Sequence, residues 1–173
     1  DLIGPDIVLF SSHLIAKLSG DGLEVPWHQD AEYWALEPMD VATLWLAVDE
    51  SVVENGCMRV IPGTHTGGLL KHHEDIRRDE KVLDKGLDLD QFDLSKAVDI
   101  ELQPGDISFH APYLVHGSTK NTSSKRRCGY TMRYMPATTK LIRTGEMEKW
   151  WAHHPLYLVR GEDRNGNNRY END

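Results

Sequence analysis

Hydrophobic residues in this chain come in short runs rich in Val, Ile, Thr, Tyr and Trp, and Pro, Gly, Asn and Asp separate the runs. Such punctuation reads as strands and turns. The pattern predicts about eight strands, at 7–18, 25–32, 41–48, 58–61, 98–102, 106–110, 114–118 and 128–134. That many short strands suit a mainly β jelly roll, a double-stranded β-helix whose rolled sheets enclose a pocket at one end, with few peripheral helices. Residues 66–99 break the pattern with charge clusters and are expected to form a long polar loop with a short helix, inserted into a core spanning 1–140; loops of this length often act as lids. Residues 141–173 are expected to form a C-terminal segment and tail. In that segment Trp150, Trp151 and Tyr157 are expected to pack onto the domain, and the Asn-rich end from Asp163 to Asp173 to fray.

Length and charge narrow the picture. At 173 residues the chain suits one domain with a real core. No apolar run approaches the roughly 20 residues that a membrane helix needs. A net charge of -9 disfavours nucleic acid or an anionic membrane as partner and leaves a small molecule as the expected one. Cys57 and Cys128 are the only cysteines and form no C-x-x-C, which suits a reducing compartment; the expected location is cytoplasmic.

Candidate chemistry begins with the H-x-D/E pattern. Two His and one carboxylate on one face of a metal, with positions left open, are the ligand set of non-haem Fe(II) oxygenases. With 9 His and 28 acidic residues, about 1.5 such matches are expected by chance, so context decides. The matches are His28-Gln29-Asp30, His72-His73-Glu74 and His73-Glu74-Asp75. The last two sit in the charged stretch, where ordering flexible side chains costs entropy, and read as solvated. His28 and Asp30 lie in an apolar-flanked strand, where alternation puts both on one face. A third ligand must come from a later strand that returns to the same end. His116 fits, following the turn at Pro104-Gly105-Asp106 and the bend at Ala111-Pro112, with His110 as its competitor. His13 and His65 read as satisfied core or turn histidines.

Between Lys120 and Arg143 the chain carries seven basic residues and no acidic one, which reverses the overall charge and calls for an anion. A guanidinium grips a carboxylate through two parallel hydrogen bonds, and Arg127 opens the strand after His116. Arg127, Gly129, Thr131 and Arg133 share one face of that strand, whereas Arg126 points the other way. Ser118, two residues beyond His116, faces the pocket with it and can donate to the same carboxylate.

Several linked motifs now stand together: Trp27-His28-Gln29-Asp30, the strand around Trp45, Asn55-Gly56 leading to Pro62-Gly63-Thr64-His65, Pro104-Gly105-Asp106, His116-Gly117-Ser118, and Arg127 eleven residues beyond His116. In order and spacing the chain resembles the phytanoyl-CoA dioxygenase family of Fe(II)/2-oxoglutarate-dependent oxygenases from about Leu9 to Pro136. The resemblance implies a cupin-like double-stranded β-helix that holds iron with His28, Asp30 and His116. It implies that Arg127 and Ser118 anchor the far carboxylate of 2-oxoglutarate, and that Gln29 and Trp45 line the co-substrate or substrate pocket. Strict alternation, however, turns Gln29 away from the iron. Lys17 also stands at a family-like position, with a structural role equally open, and Asn55, Gly56, Pro62 and Gly63 shape turns. The implied activity is that of a dioxygenase that consumes dioxygen and 2-oxoglutarate, hydroxylates a small organic substrate, and releases succinate and carbon dioxide. Halogenating relatives replace the metal-binding carboxylate with a small residue, and Asp30 is retained. Family members carry a substantial helical region ahead of these strands, and with His28 so early much of it is expected to be missing. Tyr33 and Trp34 either line the substrate side or pack beneath the loop. A cupin-like metal enzyme of another reaction type and a noncatalytic jelly-roll binding module are the alternatives; the former has no need of Arg127 and Ser118.

Overall fold

The computed structural model describes residues 2–20, 22–74 and 82–171. Thirteen strands run through the described residues. They are β1 (Ile7–Lys17), β2 (Val25–His28), β3 (Leu36–Glu37), β4 (Ala42–Ala47), β5 (Met58–Val60), β6 (His72–Glu74), β7 (Lys85–Leu87), β8 (Val98–Ile100), β9 (Ile107–His110), β10 (His116–Ser118), β11 (Arg127–Pro136), β12 (Lys140–Leu141) and β13 (Tyr157–Arg160). One short helix, α1 (Glu148–Trp151), and several 3-10 turns accompany them. A five-stranded sheet, β13-β1-β11-β4-β9, and a four-stranded sheet, β2-β10-β5-β8, make the jelly roll; β12-β3 and β6-β7 form two-stranded ribbons. Every one of the eight expected strands is present, and all pairings are antiparallel.

Alternation along β4 explains how one sheet serves both a core and a cavity. Thr43, Trp45 and Ala47 are buried, and Ala42, Leu44 and Leu46 are partly exposed, as expected of a sheet with one face turned inward. The apolar core is displaced to one end of the sheets. Val8 and Phe10 near the start of β1 meet Met135 near the end of β11, together with Leu36, Val41, Leu141, Leu156 and Tyr170. Trp34 and Trp151 pack on Phe10 with ring centroids 5.5 and 5.1 Å away. Towards the other end of the same two strands the buried inward positions are Lys17, Arg127 and Thr131, and packing gives way to a cavity.

Four expectations need correction. The 25–32 strand ends at His28, and Asp30 opens a 3-10 turn, Asp30–Tyr33. The 66–99 stretch is built of the β6-β7 ribbon, 3-10 turns and β8 rather than a loop with a helix, because β6 and β7 satisfy each other's backbone groups; part of its charged centre, 75–81, lies outside the described residues. The C-terminal end is tied down as far as it is described. Tyr170 is buried and donates to Asp163, and the Asn168 side chain accepts from the Leu141 amide and donates to the Thr139 carbonyl. Trp151 packs as expected, but Trp150 is 67% exposed with the Lys149 ammonium over its ring, because α1 is a single turn and can turn only one of two adjacent side chains inward.

Gly129 decides where Trp45 can go. It pairs with Ala47 on β4, and a Cβ at Gly129 would stand 2.0 Å from the Trp45 ring. Gly129→Ala should lower unfolding free energy by about 1–3 kcal/mol through overpacking, read from urea denaturation.

Candidate metal centre

His28 ends β2 and His116 begins β10, and the two are register partners in the four-stranded sheet. Gln29 is still extended (φ -118°, ψ 132°), so alternation carries Asp30 to the same side as His28 even as the chain turns. The three buried side chains offer ligand atoms that all lie within 4.8 Å of one another. His28 Nδ1 donates to the Pro26 carbonyl at 2.8 Å, and His116 Nδ1 to the Leu114 carbonyl at 2.9 Å. A carbonyl can only accept, so each Nδ1 is the donating nitrogen and Nε2 is the one left to face a metal. Those Nε2 atoms stand 3.6 and 4.0 Å from Asp30 Oδ1.

Protonation states agree with this geometry. Burial alone would raise the Asp30 carboxyl, but His110, His28, His116 and Arg133 outweigh it and hold it well below the usual carboxylate range. Burial, aided by His28, keeps His116 well below the ordinary imidazole value, hence neutral. The donor set, one carboxylate and two imidazoles, fits a divalent transition metal.

Arg127 lies across the same cavity of about 220 Å³, whose walls also include Trp45 and Ser118. Its Nε and Nη2 donate to the Gly56 carbonyl at 3.1 and 2.7 Å, and its guanidinium lies 5.6 Å from the centre of the Trp45 ring. Among the described residues no carboxylate pairs with it, and burial pushes its pKa down to about 10. A buried cation without a counter-ion is ready to take an anion. Arg126 points outward to Asp49, as alternation required. Gly56 has φ +78°, and a Cβ there would meet the Thr119 carbonyl at 2.5 Å, so glycine is needed to bring its own carbonyl under Arg127. Lys17 is not brought to the cavity wall; its ammonium donates to the carbonyls of Leu23, Ser118 and Thr119 and clasps the turn beneath.

Gln29 is turned away from the cavity, as alternation required. Fully buried, its amide donates to Gly68 and Tyr113 carbonyls and accepts from the Leu70 amide. It therefore pins the 68–70 segment beside the metal ligands. His72, expected to be solvated, is a correction: its side chain is fully buried, its Nε2 accepts from the Gln29 amide and its Nδ1 donates to Leu70. The ribbon folds it inward, which a reading of the stretch as charged loop could not reveal. His110, weighed against His116, belongs to the site without joining the three ligands; its ring lies 4.8 Å from that of His116 and its Nε2 3.6 Å from Asp30 Oδ2. Arg133, noted only as sharing a face with Arg127, stands with Nε 3.9 Å from the same oxygen. His13 is exposed and accepts from Arg133, and His65 is exposed.

Sequence comparison decides the kinship. A profile described as phytanoyl-CoA dioxygenase (PhyH) matches residues 2–129. The chain belongs to the phytanoyl-CoA dioxygenase family. A phytanoyl-CoA dioxygenase of Arabidopsis thaliana is 32% identical over 158 residues, 88% of this chain and 53% of that protein. The chain thus spans about half the length of the curated relatives it matches. Among solved structures, the non-heme monooxygenase ThoJ superposes with TM-score 0.75 at 28% identity, over 98% of this chain and 60% of that one. EvdO2 from Micromonospora carbonacea var. aurantiaca, complexed with 2-oxoglutarate, superposes with TM-score 0.65 at 29% identity, over 83% of this chain and 58% of that one.

Two outcomes follow from the geometry. Ni(II) or anaerobic Fe(II) at about 100-fold above its dissociation constant should stabilise the fold by about 2.7 kcal/mol, and Asp30→Ala should lose that stabilisation in thermal melts. Gln29→Ala should cost about 2–4 kcal/mol in urea unfolding, because it strands two carbonyls and an amide inside the protein.

Proposed function

We infer that this chain is an Fe(II)/2-oxoglutarate-dependent dioxygenase that hydroxylates a small organic substrate and releases succinate and carbon dioxide. The observation that carries the reading is one cavity holding both a two-histidine, one-carboxylate cluster and a buried guanidinium with no carboxylate of its own. A binding module has no use for the first, and a cupin-like enzyme of another reaction type has none for the second. Membership of a dioxygenase family supports the same reading.

His28, Asp30 and His116 would hold the iron, which when bound supplies dioxygen activation coupled to decarboxylation of the keto acid. Arg127, held level by the Gly56 carbonyl and backed by the Trp45 ring, would bind the far carboxylate of 2-oxoglutarate, with the Ser118 hydroxyl as a second donor. Gln29 contributes from behind by keeping the 68–70 segment against the ligand strand. Apolar and aromatic residues, including Val25, Met58 and Tyr33, form much of the cavity wall and would limit water around a bound substrate. The two buried, free cysteines suit a reducing compartment such as the cytoplasm. Among the described residues no helix is long and apolar enough to cross a membrane.

Anaerobic titration of metal-free protein with Fe(II) and 2-oxoglutarate should produce the weak visible charge-transfer band of a chelated keto acid. Arg127→Ala should raise the 2-oxoglutarate concentration needed for half-maximal band by at least about tenfold, since a charge-assisted pair is worth more than about 1.4 kcal/mol. A folded protein that gives no band, or an Arg127→Ala variant with unchanged dependence, would refute the assignment.

A further inference from the structure

The outward face of the five-stranded sheet is apolar, although the solvent side of an antiparallel sheet is ordinarily polar. Alternation turns Thr43, Trp45 and Ala47 of β4 inward and its other residues outward, and register carries that division across the neighbouring strands. Leu14 of β1 pairs with Tyr130 of β11, Tyr130 with Leu46 of β4, and Leu46 with Ile107 of β9. The next row runs Ser12, Met132, Leu44 and Phe109 through the same strands. Leu14 is 70% exposed, Ile107 50% and Phe109 49%. None of the outward positions of β1, β11, β4 and β9 is a charged residue.

Size and chemistry narrow what can cover this face. Five strands about 4.8 Å apart, with about three outward positions each, make a face of on the order of 500 Å². A contiguous apolar patch of that extent marks a contact surface, and joining two of them buries on the order of 1,000 Å², enough for a specific contact between proteins. The tyrosine hydroxyls ask for no outside partner, because Tyr130 donates to Ser12 Oγ at 3.2 Å and Tyr134 to Met132 Sδ at 3.5 Å. An uncharged face offers a charged partner nothing to pair with, and a net charge of -9 disfavours an anionic membrane or nucleic acid. What the face does complement is another apolar sheet of the same twist, since two such sheets pack about 10 Å apart with their strands about 30° from aligned. A second copy of this chain supplies one.

We propose that the outward face of the five-stranded sheet is the contact between two copies of this chain related by a two-fold axis, with Leu14, Ile107 and Phe109 of each copy packed on the face of the other. A two-fold contact uses the same patch twice, and an uncharged patch does so without like charges meeting. Thr43, Trp45, Thr131 and Arg133 lie on the opposite face of the same strands and line the cavity, so pairing leaves both cavities open and turned away from each other. The rival contact is the edge of β1, which β13 covers only at residues 7–9. Pairing there would use backbone groups of β1 and leave the side chains of β9 out of the contact.

Sedimentation velocity at protein concentrations from about 1 to about 100 μM, the range suited to a contact of this size, should show a reversible equilibrium between monomer and dimer. Leu14→Asp on β1 and Phe109→Asp on β9 should each raise the dissociation constant at least about tenfold, because each places an unpaired charge inside the contact. Ile107→Thr keeps a β-branched side chain, so it tests the same strand without a charge that could unsettle it, and should raise the constant severalfold. Added NaCl should tighten the dimer, since it screens repulsion between two copies of net charge -9 and weakens no ion pair in the contact. In thermal melts the wild-type midpoint should rise with protein concentration, and that of Phe109→Asp should not. A monomer throughout the range, assemblies larger than a dimer, a dimer that salt loosens, or one that no variant weakens overturns the proposal. So does a dimer that Leu14→Asp weakens while Phe109→Asp and Ile107→Thr leave it intact, the result expected of pairing through the β1 edge.

Discussion

A carboxylate in a protein interior has to be surrounded by cations or hydrogen-bond donors, or it protonates, and Asp30 imposes that condition on both sheets. Its two oxygens divide the surroundings. Oδ1 faces His28 and His116 of the four-stranded sheet, and Oδ2 faces His110 and Arg133 of the five-stranded sheet. The charge therefore sits at the seam between the sheets. Each sheet contributes a pair of nitrogens, and the separation of the sheets at this level is set by their distance to one side chain.

The displaced core follows from that condition. Had Val8, Phe10 and Met135 continued their packing along β1 and β11, the inward positions around Asp30 would be apolar and its charge would stand uncompensated. Instead the sheets pack tightly at one end and part over a cavity at the other. Lys17 stabilises the parted end in a way apolar packing could not, because its ammonium holds the backbone carbonyls of Leu23, Ser118 and Thr119 together. Trp45 fills the space that Gly129 leaves and offers its face to Arg127, so one aromatic ring replaces the missing core and supports the cation above it.

Period-two patterning made much of this legible in the sequence. It placed His28 with Asp30, turned Gln29 away, separated Arg126 from Arg127, and put Arg133 on the inward face. Each of those inferences needs only neighbours along one strand. What it could not supply was register between strands distant in sequence. The alignment of Arg133 with Thr43 and of Thr43 with His110 depends on pairings across tens of residues, set by turns whose offsets no local pattern records. His72 illustrates the same limit from the other side. Its neighbours are charged and polar, and only the pairing of β6 with β7 and the Gln29 amide beneath it show that its ring is interior. Tyr157–Arg160 escaped notice because a short, half-exposed edge strand resembles any polar segment until β1 is seen beside it.

Arg127 and Arg133 share one face of one strand, yet their surroundings give them different work. Arg127 is buried against a carbonyl and an aromatic ring with no anion near it, so its charge is available to a ligand that brings two oxygens of its own. Arg133 already shares the field of Asp30 and has committed part of its guanidinium to His13 and Trp34, so its remaining valence is directional rather than electrostatic. A strand with two such arginines polarises the cavity. The Asp30 carboxylate stays ionised because His110, His28, His116 and Arg133 face it, and Arg133 cannot be moved by a single residue along β11 without turning its side chain out of the barrel.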